Sequence, residues 1–136
     1  SKDVSNKEMN ERLSQDLYTR NPSAKNAIIV WDNTEEGYDG TYAIGDASYM
    51  THYDREGNYV ETLTKREWDG NVPANVKRSY ENSFYGTSKV ERFWEVKEPT
   101  RQGYYLEFKD SDGNPHRLWS DRDGKFSEVR PRKGDN

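Results

Sequence analysis

Apolar positions along the chain fall at two spacings. Met9, Leu13 and Leu17 recur every fourth residue with Tyr18 one step on, and Val76, Tyr80 and Phe84 do the same with Tyr85 one step on. Side chains at i, i+4 and i+8 share one face of a helix, so each run predicts a helix with a single buried stripe. Ser5 or Asn6 can cap the first helix, and Glu8 or Glu11 sits in its early turns, where the helix dipole favours acid. Asn21-Pro22 ends it, because Pro cannot donate the next hydrogen bond and restricts the residue before it. The second helix opens at Val72-Pro73 and stops at Gly86.

The rest of the chain reads as short strands and turns. In the first half the strands are 27–31, 42–44, 49–53 and 59–64, with turns at Glu36-Gly37, Asp39-Gly40 and Glu56-Gly57-Asn58. In the second half they are 90–96, 104–108, 116–120 and 126–129, with a longer turn at Asp112-Gly113-Asn114-Pro115. Asp54-Arg55-Glu56-Gly57-Asn58-Tyr59 returns as Asp121-Arg122-Asp123-Gly124-Lys125-Phe126, at an offset of 67 that also relates the two helical stripes. Trp31 and Trp94 correspond at an offset of 63. The expected fold is therefore α+β: two tandem repeats, 1–68 and 69–136, each one helix plus a four-stranded antiparallel meander, joined through Trp68-Asp69-Gly70-Asn71. Helices pack on one face of the sheet or sheets, pairing the halves gives up to eight strands in one compact body, and the other face stays open.

Composition changes this picture in one respect. Leu, Ile, Val and Phe make up only 20 of 136 residues, a fraction that normally signals disorder. Against that stand 18 aromatic rings and a net charge of only −4. Each ring can bury roughly 150–250 Å², so a thin folded domain with an aromatic core is expected. No stretch approaches the roughly 18–20 apolar residues of a membrane-spanning helix. Ser1-Lys2-Asp3-Val4 carries no hydrophobic signal core, so any signal peptide is read as removed or never present. Zero cysteines exclude disulfides, thiolate catalysis and cysteine zinc sites. The acidic balance argues against nucleic acid as a partner, and the basic tail, Arg130, Arg132 and Lys133, reads as a solvated end.

The motifs Tyr18-x-x-Asn21-Pro22-x-Ala24, Trp31, Tyr42 and Tyr53-Asp54-x-x-Gly57, then Val72-Pro73-x-x-Val76, Trp94, Tyr104-Tyr105 and Asp121-x-x-Gly124, span nearly the whole chain. In this combination the sequence resembles the PepSY-like family, also described as β-lactamase-inhibitor-protein-like (BLIP-like): small secreted or periplasmic proteins common in Bacteroidetes. The resemblance implies a tandem helix-plus-four-strand fold, a periplasmic or secreted location, and no established enzymatic activity. The family's inhibitors bind a protein partner on the concave sheet face, and PepSY domains are associated with restraining peptidases. Two features depart from the pattern. Gly86-Thr87 stands where a Pro would follow the second helix, and no residue set matches a known inhibitory loop.

Candidate chemistry is sparse. His52 and His116 are the only histidines, no nucleophile elbow is present, and no enzyme is expected. The nearest approach to a metal site is Asp110-x-Asp112-x-Asn114, with oxygens two apart as in calcium loops. Gly113 and Asp121 stand in the wrong places for such a loop, so a hairpin turn is expected there, with no metal and no cofactor. Gly37, Gly40 and Gly45 are spaced as turns rather than as a phosphate cradle.

The aromatics are the most informative feature, because 18 rings exceed what two short stripes need. Tyr42, Tyr49, Trp94, Tyr105 and Trp119 are placed on the open sheet face as binding contacts, with Arg92 and Arg117 as charged anchors. Alternation puts Tyr104, Leu106 and Phe108 inward and leaves Tyr105 and Glu107 outward; a slip of one residue would reverse this. The expected function is a non-enzymatic exported module that engages a protein partner, possessing no transmembrane segment and existing as a monomer or weak homodimer through its edge strands. The alternative is a small-molecule or peptide sensor of the cell envelope, for which a concave pocket is the sign.

Overall fold

The computed structural model describes residues 6–70 and 72–132. The cap candidate Ser5, the linker residue Asn71 and the tail residue Lys133 lie outside the described residues. The chain forms α1 (Asn6–Arg20), a short 3-10 turn (Pro22–Asn26), β1 (Val30–Thr34), β2 (Gly37–Ile44), β3 (Ala47–Tyr53) and β4 (Tyr59–Arg66). It continues as α2 (Ala74–Glu81), β5 (Arg92–Lys97), β6 (Gln102–Lys109), β7 (Pro115–Ser120) and β8 (Phe126–Val129).

The expectation of two repeats, each a helix with its own four-stranded meander, is overturned. The described strands form one eight-stranded antiparallel sheet in the order β1-β2-β3-β4-β5-β6-β7-β8, accompanied by two α-helices. The physical reason is the cost of exposed edges. Two separate meanders would present four rows of unpaired backbone groups, whereas one sheet presents two, at β1 and β8.

The chain divides into two compact units between Thr64 and Lys65. In the first, the α1 stripe Met9, Leu13 and Leu17 is buried, and Tyr53, Ala24 and Tyr42 complete the core. Trp31 Nε1 donates to Ser14 Oγ at 3.0 Å, and the Tyr53 hydroxyl donates to Asp16 at 2.7 Å, so two rings of the sheet are tied to the helix above them. In the second, Tyr80 of α2 is the hub. Its ring meets Trp68 at 5.5 Å, Phe108 at 5.6 Å and Phe126 at 6.4 Å, all edge-on. Val76, Phe93, Leu106 and Leu118 fill the remaining space.

Two further expectations are corrected. Asp39-Gly40 is not a turn but lies inside β2, where Gly40 leaves room for the Trp31 ring; a Cβ there would sit 2.9 Å from it. Phe84 is not on the helical stripe, because α2 ends at Glu81 and Phe84 is 93% exposed. Ser83 explains the early end. Its hydroxyl donates to the Tyr80 carbonyl at 2.6 Å and accepts the Tyr85 N–H at 3.2 Å, so local side-chain bonds replace the next helical turn.

Three hairpins close with one device. Asp54, Asp110 and Asp121 each accept two backbone N–H groups, from residues two and four further on, at 2.8–3.0 Å. The glycine three positions after each Asp, namely Gly57, Gly113 and Gly124, takes a positive φ of 82–86°.

Candidate functional site

The sheet face of the second unit that does not carry α2 presents two rows of side chains, each running straight across β5, β6 and β7. Register sets the first row as Arg92, Glu107 and Arg117, and the second as Trp94, Tyr105 and Trp119. Successive residues of a strand point to opposite faces, so these rows alternate with Phe93, Leu106 and Leu118 on the core side. Five of the residues expected on an open face, Arg92, Trp94, Tyr105, Arg117 and Trp119, are therefore brought together. Tyr42 and Tyr49 are not among them. They stack on each other at 5.2 Å on the α1 side, with Tyr42 only 4% exposed beside Leu17 and Ala24.

The predicted direction of β6 holds, with Tyr104 packed on the core side and Tyr105 and Glu107 on the other. The predicted openness does not. Tyr105, Trp119 and Arg117 are 8%, 6% and 4% exposed. These large side chains cover one another. Tyr105 meets Trp119 edge-on at 5.7 Å, the Arg117 guanidinium lies 4.5 Å over the Tyr105 ring, and the Arg101 guanidinium lies 3.7 Å over Trp119. Gly103 makes the last arrangement possible, since a Cβ there would stand 2.5 Å from the Trp119 ring.

Glu107 organises the polar row. One carboxylate oxygen accepts from Arg92 Nε and Trp94 Nε1, both at 2.8 Å. The other accepts from Arg117 Nε at 2.9 Å and from its terminal nitrogen at 2.5 Å. Burial pushes the Glu107 carboxyl up, but Arg117, Trp94 and Arg92 outweigh it, and the group stays below the usual glutamate range. Trp94 and Arg92 are the half-buried members, so they are the ones that face solvent while the rest hold them in place. Sequence reasoning missed Arg101 and the anchoring role of Glu107. The signal for Glu107 was its place directly opposite both arginines, which only the register reveals.

The first unit's corresponding face carries a row of different character: Asp32, Asp39, His52 and Glu61 across β1 to β4. His52 Nδ1 is bonded to Asp39, and both are buried, as is Glu61. His116 lies on the core side of the second unit, stacked on Phe108 at 5.3 Å. Its Nε2 is 2.8 Å from Asp110 and its Nδ1 3.3 Å from Glu128, and the Asp110 and Glu128 bonds raise its pKa against a lesser effect of burial. The oxygens of Asp110 are thus shared between His116 and the turn's own amides, which is how the structure uses the Asp110, Asp112 and Asn114 segment. A cleft of about 500 Å³ beside α2 is walled by Arg66, Glu67, Trp68, Tyr80, Glu91 and Arg92. Its lining is largely charged, unlike the apolar walls usual for small-molecule sites.

A fold of one antiparallel sheet with two helices is found again among solved structures. No protein-family model and no curated protein matches the chain. Its fold is similar to that of a DUF2874 family protein from Bacteroides uniformis ATCC 8492, with a TM-score of 0.70 and 17% identity over 86% of this chain and 87% of that one. It is also similar to a BLIP-like protein from Bacteroides fragilis NCTC 9343, with a TM-score of 0.69 and 17% identity over 93% and 90%. A protein from Bacteroides eggerthii DSM 20697, provisionally described as periplasmic, gives a TM-score of 0.68 and 15% identity over 86% of each chain. The chain therefore has a BLIP-like fold, at identities that speak to fold alone, while the PepSY-like part of the resemblance and the tandem repeat gain no support.

Proposed function

We propose that this protein is a non-enzymatic, exported binding module that engages a protein partner through the β5–β7 face opposite α2. The observation that carries this reading is the pair of rows fixed by Glu107: Trp94 and Arg92 are held by 2.8 Å bonds to a buried carboxylate. Trp and Arg are the residues that dominate protein-binding hot spots, and side chains already fixed lose little entropy on binding. The fold shared with a BLIP-like protein supports a protein partner, and an inhibitory role is the finer form of the same proposal. Export to the periplasm or beyond is supported by the neighbour provisionally described as periplasmic. No helix among the described residues is long and apolar enough to cross a membrane. The non-enzymatic part rests on the histidines: His52 is buried against Asp39, and both ring nitrogens of His116 are engaged by carboxylates.

The test is capture from an extract of exported proteins, with wild type beside Trp94→Ala and Arg92→Ala. One partner held by the wild type, and weakened at least tenfold by either change with the melting temperature within a few degrees, is the expected result. Capture unaffected by both changes would remove this face from the proposal. Capture of nothing would shift weight to the small-molecule or peptide sensor.

A further inference from the structure

We infer that β1 is a pairing edge for a second copy of this chain. The two edges of the sheet differ in how they are guarded. β8 is only four residues long and is followed by Arg130 and Pro131, a charge and a residue with no N–H to donate. The run Ala27-Ile28-Ile29-Val30-Trp31, which leads into β1 and supplies its first two residues, has no charge and no proline, and the first charge along this edge is Asp32. Ala27 has extended backbone angles, φ −110° and ψ 157°, at a bend after the 3-10 turn, and Ile28 and Ile29 lead from it to the start of β1 at Val30. Ile29 and Trp31 turn inward and pack around Leu17 and Tyr42. Ile28 and Val30 turn the other way and are 87% and 57% exposed, two of the three large hydrophobic side chains so exposed among the described residues.

The arrangement is self-complementary. A two-fold axis through Ile29, with the strands antiparallel, sets Ile28 of one copy opposite Val30 of the other and Val30 opposite Ile28, so both exposed aliphatics are covered at once. Aliphatic residues directly opposite across an antiparallel pair attract, which selects this register over one that would set Ile28 against Asp32. The same surface serves both copies, so the contact closes at two. A β1-to-β8 contact would instead run on as an open filament, and the guarded β8 edge opposes it. Of the five residues centred on Ile29, Val30 and Trp31 lie in β1 and Ala27 to Ile29 precede it, so the interface is small, below about 1,200 Å², and the dimer is weak and is read at high micromolar concentration. This surface is separate from the β5–β7 face, so either proposal can fail alone.

Sedimentation equilibrium on the full chain tests it. Wild type is expected to shift from monomer toward dimer as concentration rises to several hundred micromolar. Val30→Lys and Ile28→Lys, both at exposed positions, are each expected to weaken that association at least tenfold while leaving the melting temperature and circular dichroism unchanged. The chain has no cysteine, so register can be read directly. A mixture of Ile28→Cys and Val30→Cys chains is expected to form a disulfide-linked heterodimer faster than either chain links to itself. A wild type that stays monomeric at that concentration overturns the proposal and leaves the edge to a peptide strand of another protein. A dimer that survives both lysine changes overturns it as well.

Discussion

At the scale of single residues, two titratable groups set the response to acid and base. Glu107 stands buried between Arg92 and Arg117, with its pKa held below the ordinary value despite burial. A depressed carboxyl pKa contributes stability above the unfolded value, near 4.3, and that stability is lost as pH falls through the folded value. Glu107→Gln would leave Arg117 buried without its counter-charge. The expected loss is about 3–5 kcal/mol in urea unfolding at neutral pH, with a flatter acid limb than wild type. His116 works in the opposite direction. Its pKa is raised, chiefly by the bond to Asp110, so its contribution is full below about pH 6.5 and is lost as pH rises through the folded value. His116→Gln is expected to remove that fall in stability above about pH 6.5, measured by melting temperature against pH. A profile identical to wild type would mean the His116 bonds to Asp110 and Glu128 carry no net stabilisation.

At the scale of elements, the helices and hairpins were largely written in local chemistry. The Met9, Leu13 and Leu17 stripe lies where its spacing put it, and Asn21-Pro22 ends α1 as expected. The Asp54 and Asp121 turns were visible because Asp and Gly three apart supply an acceptor and a positive φ within one short segment. Asp110 uses the same device, so the longer turn expected near Asp112 is the same hairpin begun two residues earlier. Phe84 was misplaced because spacing alone cannot weigh Ser83's bonds to Tyr80 and Tyr85 against one more helical turn. These readings lead to a contrast. Tyr80→Ala is expected to cost about 3–5 kcal/mol, whereas Phe84→Ala, four residues on, should stay within about 0.5 kcal/mol. Asp121→Ala removes the acceptor of two backbone amides and should cost about 1–2 kcal/mol. Chemical denaturation of the three variants checks the order.

At the scale of the whole molecule, the single sheet concentrates vulnerability at its edges. Amides of β8, with a neighbour on one side only, are expected to exchange with deuterium well before those of β6 and β7. Equal protection would mean that this edge is covered. The fold class was misread at this scale. Offsets within a sequence can relate its segments, but they do not state where a sheet ends, because strand pairing is fixed between residues far apart in the chain.

The sequence by itself determined the order of helices and strands, the α1 stripe, the Asp–Gly turns and, for β6, which side chains face the core. Those choices rest on spacing, alternation and the short-range chemistry of Asp, Gly, Pro and Ser, all readable within a few residues. Only the tertiary structure decided the rest. It sent Tyr42 and Tyr49 to the core side, closed Arg101 and Arg117 over Trp119 and Tyr105, and set Glu107 between two arginines. Burial and pairing depend on which strands lie side by side and in what register. A one-residue slip would exchange the faces of a whole strand without altering any local signal.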